Sequence, residues 1–404
     1  MTNSLNHDQL ASQPGPLDGI VIADFSRVLA GPYCTMLLAD MGATVIKVEG
    51  PGGDDTRQWT PPERDGVSTY YLAINRNKHS IALDLSDPAE LDIATNIIDQ
   101  ADVFVENFKP GSLAKFGLDP ASVAKRWPRI VHASITGFGS AGGADMPGYD
   151  LLAQAMSGMM SITGSQDGPP QRAGVAMFDV MTGMHAAIGI LGALREREIS
   201  GLGQQLEVNL LSSALSGLVN QSAGYAAAGN VPTRLGNDHP SVYPYGPFAT
   251  ADRDLIIACG NDNQFAKLVH HLGLPELADD ERFRTNAQRN EHREELRTLL
   301  EEALSTATAD EWFAEFRAAK LASAPILTIG EGVEFADEIG LNPIVEAGKA
   351  ANRVPTIKHP IDFSRTPARY DKAPPAHGAD RDAILTWLEN QPSQGSGAHV
   401  SHSR

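Results

Sequence analysis

The first half of the chain alternates short apolar runs with segments whose apolar residues recur at helical spacing. Runs rich in β-branched residues predict strands at 19–26, 43–49, 80–85, 102–108 and 129–139. Helical patterns lie between them, at 31–42, 88–101 and 119–128. Short buried strands that alternate with amphipathic helices are typical of a largely parallel sheet covered on both faces. The pattern therefore predicts an α/β fold with a large domain built on such a sheet.

The turn after the first strand changes what this domain is expected to bind. It reads SRVLAGPY and lacks the G-x-G-x-x-G spacing that binds dinucleotides. The sequence therefore predicts a Rossmann-like domain without a nicotinamide cofactor.

The pattern changes near residue 230 and predicts a second, smaller α/β domain. The stretch GNDHPSVYPYGPF (236–248) is rich in turn formers and is expected to be a linker or an active-site loop. A strand is predicted at 254–260, helices within 280–320, and further strands at 324–329 and 343–348. The predicted organisation is a large domain (17–225 and 340–388), a small domain (235–325), linkers (226–234 and 326–339) and disordered tails (1–16 and 391–404).

Composition narrows the classes of partner. The net charge of −18 disfavours binding to nucleic acid and to anionic membranes. The two cysteines, Cys34 and Cys259, do not make a disulfide framework, and no secretory signal or uninterrupted apolar run of about 20 residues is evident. The histidines show no metal-binding spacing. We therefore expect a cytoplasmic protein without a metal site.

One carboxylate interrupts the apolar stretch GVAMFDVMTGMHAAIGILGAL (174–194). Asp179 stands at the head of a helix that is apolar on nearly every face, so it is either the helix cap or a nucleophile. The two roles are compatible, because the positive end of a helix is expected to keep a carboxylate ionised. His185, further along this helix, is expected to be a core histidine.

Other candidate residues have ordinary structural explanations. Tyr149 and Asp150 precede a helix that carries Gln154, and Asp150 is expected to cap it. The loop ENFKPGSLAKFGL (106–118) follows a strand at the end of the sheet where ligands bind, and is otherwise an ordinary βα loop. Three basic residues at strand openings are expected to be surface charges, with anion binding as the alternative: Arg57, Arg76 and Lys78.

Several long motifs in one order resemble the class III CoA-transferases, the family of formyl-CoA transferase and the carnitine-type enzymes. They cover about residues 17–385. They are LDGIVIADFSRVLAGPYCTMLLADMGATVIKVE, NRNKHSIALDL, DVFVENFKPGSLAKFGL, GYDLLAQAMSG, SQDGPP and GVAMFDVMTGMHAAIGILGAL.

The resemblance implies a mechanism and a set of site residues. Asp179 matches the nucleophile that forms a mixed anhydride and then an aspartyl-CoA thioester, and Tyr149 matches an active-site tyrosine. The residues that match CoA-binding positions are Asn107, Phe108, Lys115, Leu83 and Val28. CoA and acyl-CoA are substrates, so no cofactor is expected. The resemblance also implies an interlocked homodimer in which each chain has a Rossmann-like large domain and a smaller domain.

Departures from the family pattern bear on the substrate. Leu29 stands where formyl-CoA transferase has a glutamine that contacts the acyl group, and Gly50 and Pro147 replace basic residues near CoA. Formate and oxalate are therefore disfavoured, and the stretch 236–248 resembles the succinyl-CoA:dicarboxylate transferases. Two alternatives stay open: an α-methylacyl-CoA racemase, which has a histidine where Tyr149 stands, and a CoA-binding protein without turnover.

Overall fold

The structure is a computed structural model that describes residues 14–349 and 352–391. Most of the two predicted tails, 1–16 and 391–404, lies outside the described residues. Backbone contacts divide the chain into two compact units. The first comprises Met1–Ser157, Ala173–Ala226 and Asn342–Arg404, and the second comprises Gly158–Arg172 and Ala227–Leu341.

The described residues form strands and helices along the whole chain. The strands are β1 (Val21–Asp24), β2 (Thr44–Glu49), β3 (Glu63–Arg64), β4 (Val67–Ser68), β5 (Lys78–Ala82), β6 (Val103–Glu106), β7 (Val131–Thr136), β8 (Gln205–Asn209), β9 (Tyr245–Ala249), β10 (Asp254–Ala258), β11 (Ser323–Pro325), β12 (Ile344–Ala347) and β13 (Val354–Ile357). The helices are α1 (Ala30–Asp40), α2 (Thr69–Ile74), α3 (Pro88–Asp99), α4 (Pro120–Arg126), α5 (Asp150–Met156), α6 (Met159–Ile162), α7 (Met177–Ser200), α8 (Leu210–Gly217), α9 (Asn220–Ala228), α10 (Asp262–His271), α11 (Asn286–Glu291), α12 (Arg293–Leu304), α13 (Ala309–Ala318), α14 (Ile329–Glu338) and α15 (Arg381–Glu389).

A six-stranded parallel sheet organises the first unit. Its strand order is β5-β2-β1-β6-β7-β8, and every neighbouring pair is parallel. The order reverses between β1 and β6, where Ile22 lies opposite Val103. Open sheets of this kind bind ligands at the carboxyl ends of the strands where the order reverses. The predicted α/β fold with a large, mostly parallel sheet is confirmed.

Two helices of this unit begin with the same pair of residues. Asp87 and Asp119 each accept a hydrogen bond from a backbone N–H in the first turn, at α3 and α4, and each is followed by proline. Proline suits the first helical position because its missing N–H has no partner there. The helices predicted at 88–101 and 119–128 are confirmed, and they begin within one residue of the predicted positions.

The sixth strand of this sheet, β8, is not among the strands predicted from the sequence. Its five residues, QLEVN, contain two apolar side chains and lie at the edge of the sheet. An edge strand buries less of its surface than a central one, so its sequence carries less of the apolar signal that predicted the other five.

The longest helix, α7, packs one face into the core of the first unit. Ala186, Ile190 and Ala193 are buried among residues of the sheet and of α1. Gly183 permits close packing, because a Cβ there would lie 2.6 Å from the carbonyl oxygen of Ala30. By length and composition alone α7 is able to cross a membrane, a test that core helices also pass.

The second unit has its own sheet and core. Strands β11, β10 and β9 form an antiparallel sheet in that order, and its core includes Phe248, Leu255 and Phe265. Strand β9 begins inside the stretch 236–248, so the expectation of a linker or loop is wrong for its last residues. The helix α14 occupies most of the predicted linker 326–339. The domain boundaries and the interlocked dimer stay predictions.

Candidate active site

Asp179 lies in the first turn of α7, as its third residue. Ala176 stands at the N-cap position and offers no capping side chain, so Asp179 is not the cap of its own helix. Among the described residues, no backbone or side-chain group donates a hydrogen bond to the Asp179 carboxylate. The carboxylate is partly buried.

The cap of α7 comes from a different helix. Asp150, 28 residues earlier at the start of α5, accepts hydrogen bonds from the N–H groups of Phe178 (2.7 Å) and Asp179 (3.2 Å) with one carboxylate oxygen. Its side chain is buried. The expectation that Asp150 caps its own helix is therefore wrong, since Asp150 already lies inside α5 and its carboxylate turns to α7.

Gln154 holds this carboxylate in place. Its side-chain amide donates to Asp150 (2.5 Å) and to the carbonyl of Val175 (3.3 Å), and its oxygen accepts from the N–H of Ala173 (2.8 Å). Gln154 is fully buried, so water does not compete for these hydrogen bonds. Asp150 and Gln154 together position the backbone that leads into α7 and therefore position Asp179.

The environment of Asp179 disfavours its charged form. Burial, and next the negative charge of Asp150, raise the pKa of Asp179 to about 7. The sequence-based expectation that the helix end keeps this group firmly ionised is contradicted, because loss of water and a second carboxylate outweigh it. A carboxylate with a pKa near neutrality is a stronger nucleophile than an ordinary aspartate.

Tyr149 immediately precedes α5 at its N-cap position, and its side chain is 62% exposed. The residue before it, Gly148, packs directly on the backbone that follows β7, because a Cβ on Gly137 would lie 2.5 Å from the Gly148 Cα. The backbone on both sides of Tyr149 is therefore fixed, while its ring is accessible to a ligand.

Tyr70 is a site residue that the sequence did not single out. Burial, and next the negative charges of Asp179 and Asp150, raise the pKa of Tyr70 to about 12. Its ring packs edge-on against Trp59, with 5.1 Å between the ring centroids. Tyr70 precedes Asp179 by more than a hundred residues and has no motif of its own, so only the fold brings the two together.

Two predicted CoA-binding residues meet where the strand order reverses. Val28 lies in the loop after β1, and Asn107 directly follows β6. The Asn107 side chain accepts from the N–H of Arg27 (3.0 Å) and donates to its carbonyl (2.7 Å). The sheet therefore joins these two positions at the place where a ligand is expected.

The other three predicted positions are more spread out. Phe108 lines a cavity of about 340 Å³ beside β6, β7 and β8. Lys115 is exposed in a short 3₁₀ helix, with its ammonium group 4.7 Å from the centroid of the Phe116 ring. The side chain of Leu83 is buried in the core, so only its backbone could face a ligand. The CoA-binding roles of these residues stay predictions.

Of the three basic residues expected at the surface, Arg76 and Lys78 are buried and Arg57 is partly buried. Arg76 pairs with Asp40 at 2.6 Å, Lys78 with Asp24 at 3.2 Å, and Arg57 with Glu49 at 2.7 Å. Lys78 is fully buried, and burial lowers its pKa to about 8. Each charge has a carboxylate partner, as burial requires. His185 is only partly buried, so it is not a core histidine, but its ring bonds the hydroxyl of Ser213 at 3.0 Å.

Residues 17–381 match the model of CoA-transferase family III. The chain belongs to this family. It is 42% identical to the succinate–glutarate CoA-transferase of Agrobacterium fabrum, over 93% of this chain and 96% of that protein. It is 40% identical to the succinyl-CoA:glutarate CoA-transferase of Mus musculus, over 92% of this chain and 86% of that protein.

The fold is similar to that of a solved structure along nearly the whole chain. A CAIB/BAIF family protein from Brucella suis superimposes with a TM-score of 0.84 at 39% identity, over 93% of this chain and 100% of that chain. These matches confirm the predicted family and the predicted enzyme class, a CoA-transferase.

Replacing Asp179 with asparagine is expected to stabilise the enzyme above pH 7. The Asp179 carboxyl group loses its proton near pH 4 in the unfolded chain and near pH 7 in the folded chain. The wild type therefore loses stability as the pH rises from 4 to 7. A pKa of about 7 in place of 3.8 corresponds to about 4 kcal/mol of unfolding free energy. Urea unfolding of both proteins at pH 4 and pH 8 measures the difference, which should be small at pH 4. A gain that is equal at both pH values contradicts the prediction.

Replacing Asp150 with asparagine is expected to move the acid limb of kcat/KM to lower pH. The substitution removes the charge that helps to raise the pKa of Asp179, and the amide oxygen still accepts from the N–H of Phe178. Burial remains, so the limb should move only part of the way. Asp87→Asn, the same change at the cap of α3, is the matched control and should leave the limb in place. A shift to higher pH, or the same shift in both variants, contradicts the prediction.

Proposed function

We propose that this enzyme moves CoA from an acyl-CoA to a free carboxylic acid through covalent intermediates on Asp179. The observation that carries the proposal is the Asp179 carboxylate itself. It accepts no hydrogen bond from the described residues, lies partly buried in the first turn of α7, and has a pKa of about 7. Asp150 and Gln154 hold the backbone on which it stands.

In the first half-reaction, an oxygen of ionised Asp179 attacks the thioester carbonyl of the donor. The C–S bond breaks, CoA leaves as a thiolate, and a mixed anhydride forms. The thiolate then attacks the Asp179 carbonyl, the anhydride C–O bond breaks, and the donor acid leaves as a carboxylate. The aspartyl-CoA thioester that results keeps the energy of the original thioester.

The second half-reaction repeats these steps in reverse order with the acceptor. The acceptor carboxylate attacks the aspartyl thioester, CoA leaves again as a thiolate, and a new mixed anhydride forms. Attack of the thiolate on the acceptor's carbonyl releases the new acyl-CoA and regenerates the Asp179 carboxylate. No net proton is taken up or released, so Asp179 needs only to start ionised.

Tyr70 supports the anionic steps of this scheme. Its hydroxyl has a pKa of about 12, so it stays protonated at neutral pH and is able to donate a hydrogen bond to a substrate oxygen. A donor close to Asp179 stabilises the oxyanion that forms when the carbonyl is attacked. The racemase alternative requires a base where Tyr149 stands, and a tyrosine in place of histidine is a poor general base near neutral pH. This disfavours the racemase alternative.

We further propose that the donor is succinyl-CoA and the acceptor a dicarboxylic acid such as glutarate. The support is the similarity, at 40% identity or more over most of the chain, to two enzymes named for succinate and glutarate.

Trapping with hydroxylamine tests the covalent intermediate. Incubation with succinyl-CoA and hydroxylamine should convert the Asp179 side chain to a hydroxamate, which peptide mass spectrometry locates. Asp179→Asn should lose CoA transfer by several orders of magnitude, because nucleophile removal leaves only binding effects. Tyr149→Phe, which keeps the nucleophile, is the control and should still be labelled. A label on another residue, or full activity in Asp179→Asn, overturns the mechanism.

The same assay tests the substrates. Succinyl-CoA should transfer CoA to glutarate with a higher kcat/KM than to acetate, formate or oxalate. A preference for formate or oxalate would refute the proposed substrate class and leave the covalent mechanism intact.

We also propose that the enzyme is a homodimer. The face of α7 opposite its core contacts exposes Ile188 (67%) and Leu191 (37%), and the loop and helices that follow expose Leu202, Leu215 and Val219. A group of exposed apolar side chains on neighbouring elements is typical of an interaction surface.

Light scattering should give the mass of two 43.1 kDa chains. Ile188→Lys should lower the melting temperature by about 2 °C, because an apolar side chain of this size contributes about 2 kcal/mol when buried and the shift per kcal/mol is small in a chain this long. Ile329→Lys changes an isoleucine that is 90% exposed on α14 and should have no such effect. A wild-type mass of one chain contradicts the proposal.

A further inference from the structure

Side chains from elsewhere in the chain hold the loop that follows β1, between Phe25 and Ala30. The Asp24 carboxylate accepts a hydrogen bond from the N–H of Ser26 (3.0 Å), and the Lys47 ammonium donates to the carbonyl of Ser26 (2.9 Å). Asn107 bonds both the N–H and the carbonyl of Arg27. The N–H of Val28 donates to Asp54 (3.2 Å). The backbone of three successive loop residues is therefore bonded by four side chains.

Val28 has a conformation that it would not adopt unaided. Its φ is +70°, in the left-handed region, where a β-branched side chain is a clear outlier. Such conformations persist only where the surrounding contacts impose them, and they concentrate at functional sites. The bonds to Ser26, to Arg27 and to the N–H of Val28 are the contacts that impose this one.

Two of the four side chains form a single buried ion pair. The Lys47 ammonium lies 2.8 Å from the Asp54 carboxylate, and both side chains are fully buried. Lys47 bonds the residue two positions before Val28, and Asp54 bonds Val28 itself. Asp54 also accepts from the N–H and hydroxyl of Thr56, so its own position is fixed.

We propose that Lys47 and Asp54 are positioning residues that hold the Arg27–Val28 backbone in the shape that receives the acyl-CoA substrate. The loop crosses the point where the strand order reverses, which is where open parallel sheets bind their ligands. Neither residue touches the substrate, and both act through the loop. The inference rests on the proposed function, because it assigns the loop to acyl-CoA.

A second buried ion pair in the same unit provides a matched control. Arg76 and Asp40 lie 2.6 Å apart and are equally buried, but Asp40 is the last residue of α1, at the opposite end of that helix from the loop. Its other partner is the side-chain amide of Asn77. Breaking this pair removes a buried ion pair without touching the loop.

The test compares Asp54→Asn with Asp40→Asn. The Val28 N–H donates to Oδ1 of Asp54 and Lys47 donates to Oδ2, whereas asparagine has a single oxygen and loses one of the two bonds. Asp54→Asn should therefore raise the KM for succinyl-CoA about tenfold, the loss expected for one hydrogen bond to a charged group. The kcat should change less than the KM. Asp40→Asn should leave the KM unchanged, although both variants should unfold at lower urea concentrations.

A second substitution tests whether the effect passes through Val28. Glycine adopts positive φ freely. Adding Val28→Gly to Asp54→Asn should therefore lower the raised KM about fivefold. If Asp54→Asn does not fold, Lys47→Met combined with Asp54→Asn leaves no unpaired buried charge and is used in its place. Equal KM increases in Asp54→Asn and Asp40→Asn, or no recovery with glycine, would overturn the proposal.

Calorimetric titration with CoA separates this proposal from the proposed function. A wild-type enzyme that transfers no CoA would refute the proposed function, and the dissociation constants for CoA would then give the same comparison between the two variants. Weakened CoA binding in Asp54→Asn alone supports the positioning role, and unchanged binding in both variants overturns it.

Discussion

The candidate active site depends on the hydrogen bonds between Asp150 and the first turn of α7. A helix that begins without a capping side chain leaves N–H groups that need acceptors, and here one carboxylate from α5 serves two of them. The bonds join two helices that are separated by 20 residues of chain. They set the position of Asp179 and also place a second negative charge next to it.

That second charge gives the site its chemical character. Two carboxylates at one helix end, with limited access to water, favour the protonated form of one of them. Burial and the negative charge of Asp150 raise the pKa of Asp179, and Asp179 accepts no hydrogen bond from the described residues that would offset them. The folded protein therefore tolerates a poorly solvated carboxylate, which is the property that the proposed nucleophilic role requires. Loss of stability at a reactive site is common in enzymes.

The same unit uses buried charge for a different purpose at the reversal of the sheet. Lys47, Asp54 and Asn107 bond the backbone after β1 and hold Val28 in a left-handed conformation. Ion pairs of this kind contribute little net stability, since desolvation offsets most of their attraction. A loop shape that broke the Lys47–Asp54 pair would leave a buried charge without a partner, which is the physical basis of the positioning role proposed for these residues.

The sequence by itself determined the order of five of the six strands of the parallel sheet and of three helices between them, with the starts of α3 and α4. It singled out Asp179 as a candidate nucleophile. These features are local: apolar runs, aspartate–proline pairs and one carboxylate in an apolar stretch are visible within a few residues. It also determined the family, through long motifs in one order. Only the tertiary structure decided that Asp150 caps α7, that Tyr70 lies near Asp179, and that Arg76 and Lys78 are buried. Each of these depends on contacts between residues distant in the chain, and no local pattern records which distant partner will satisfy a charge or a free N–H.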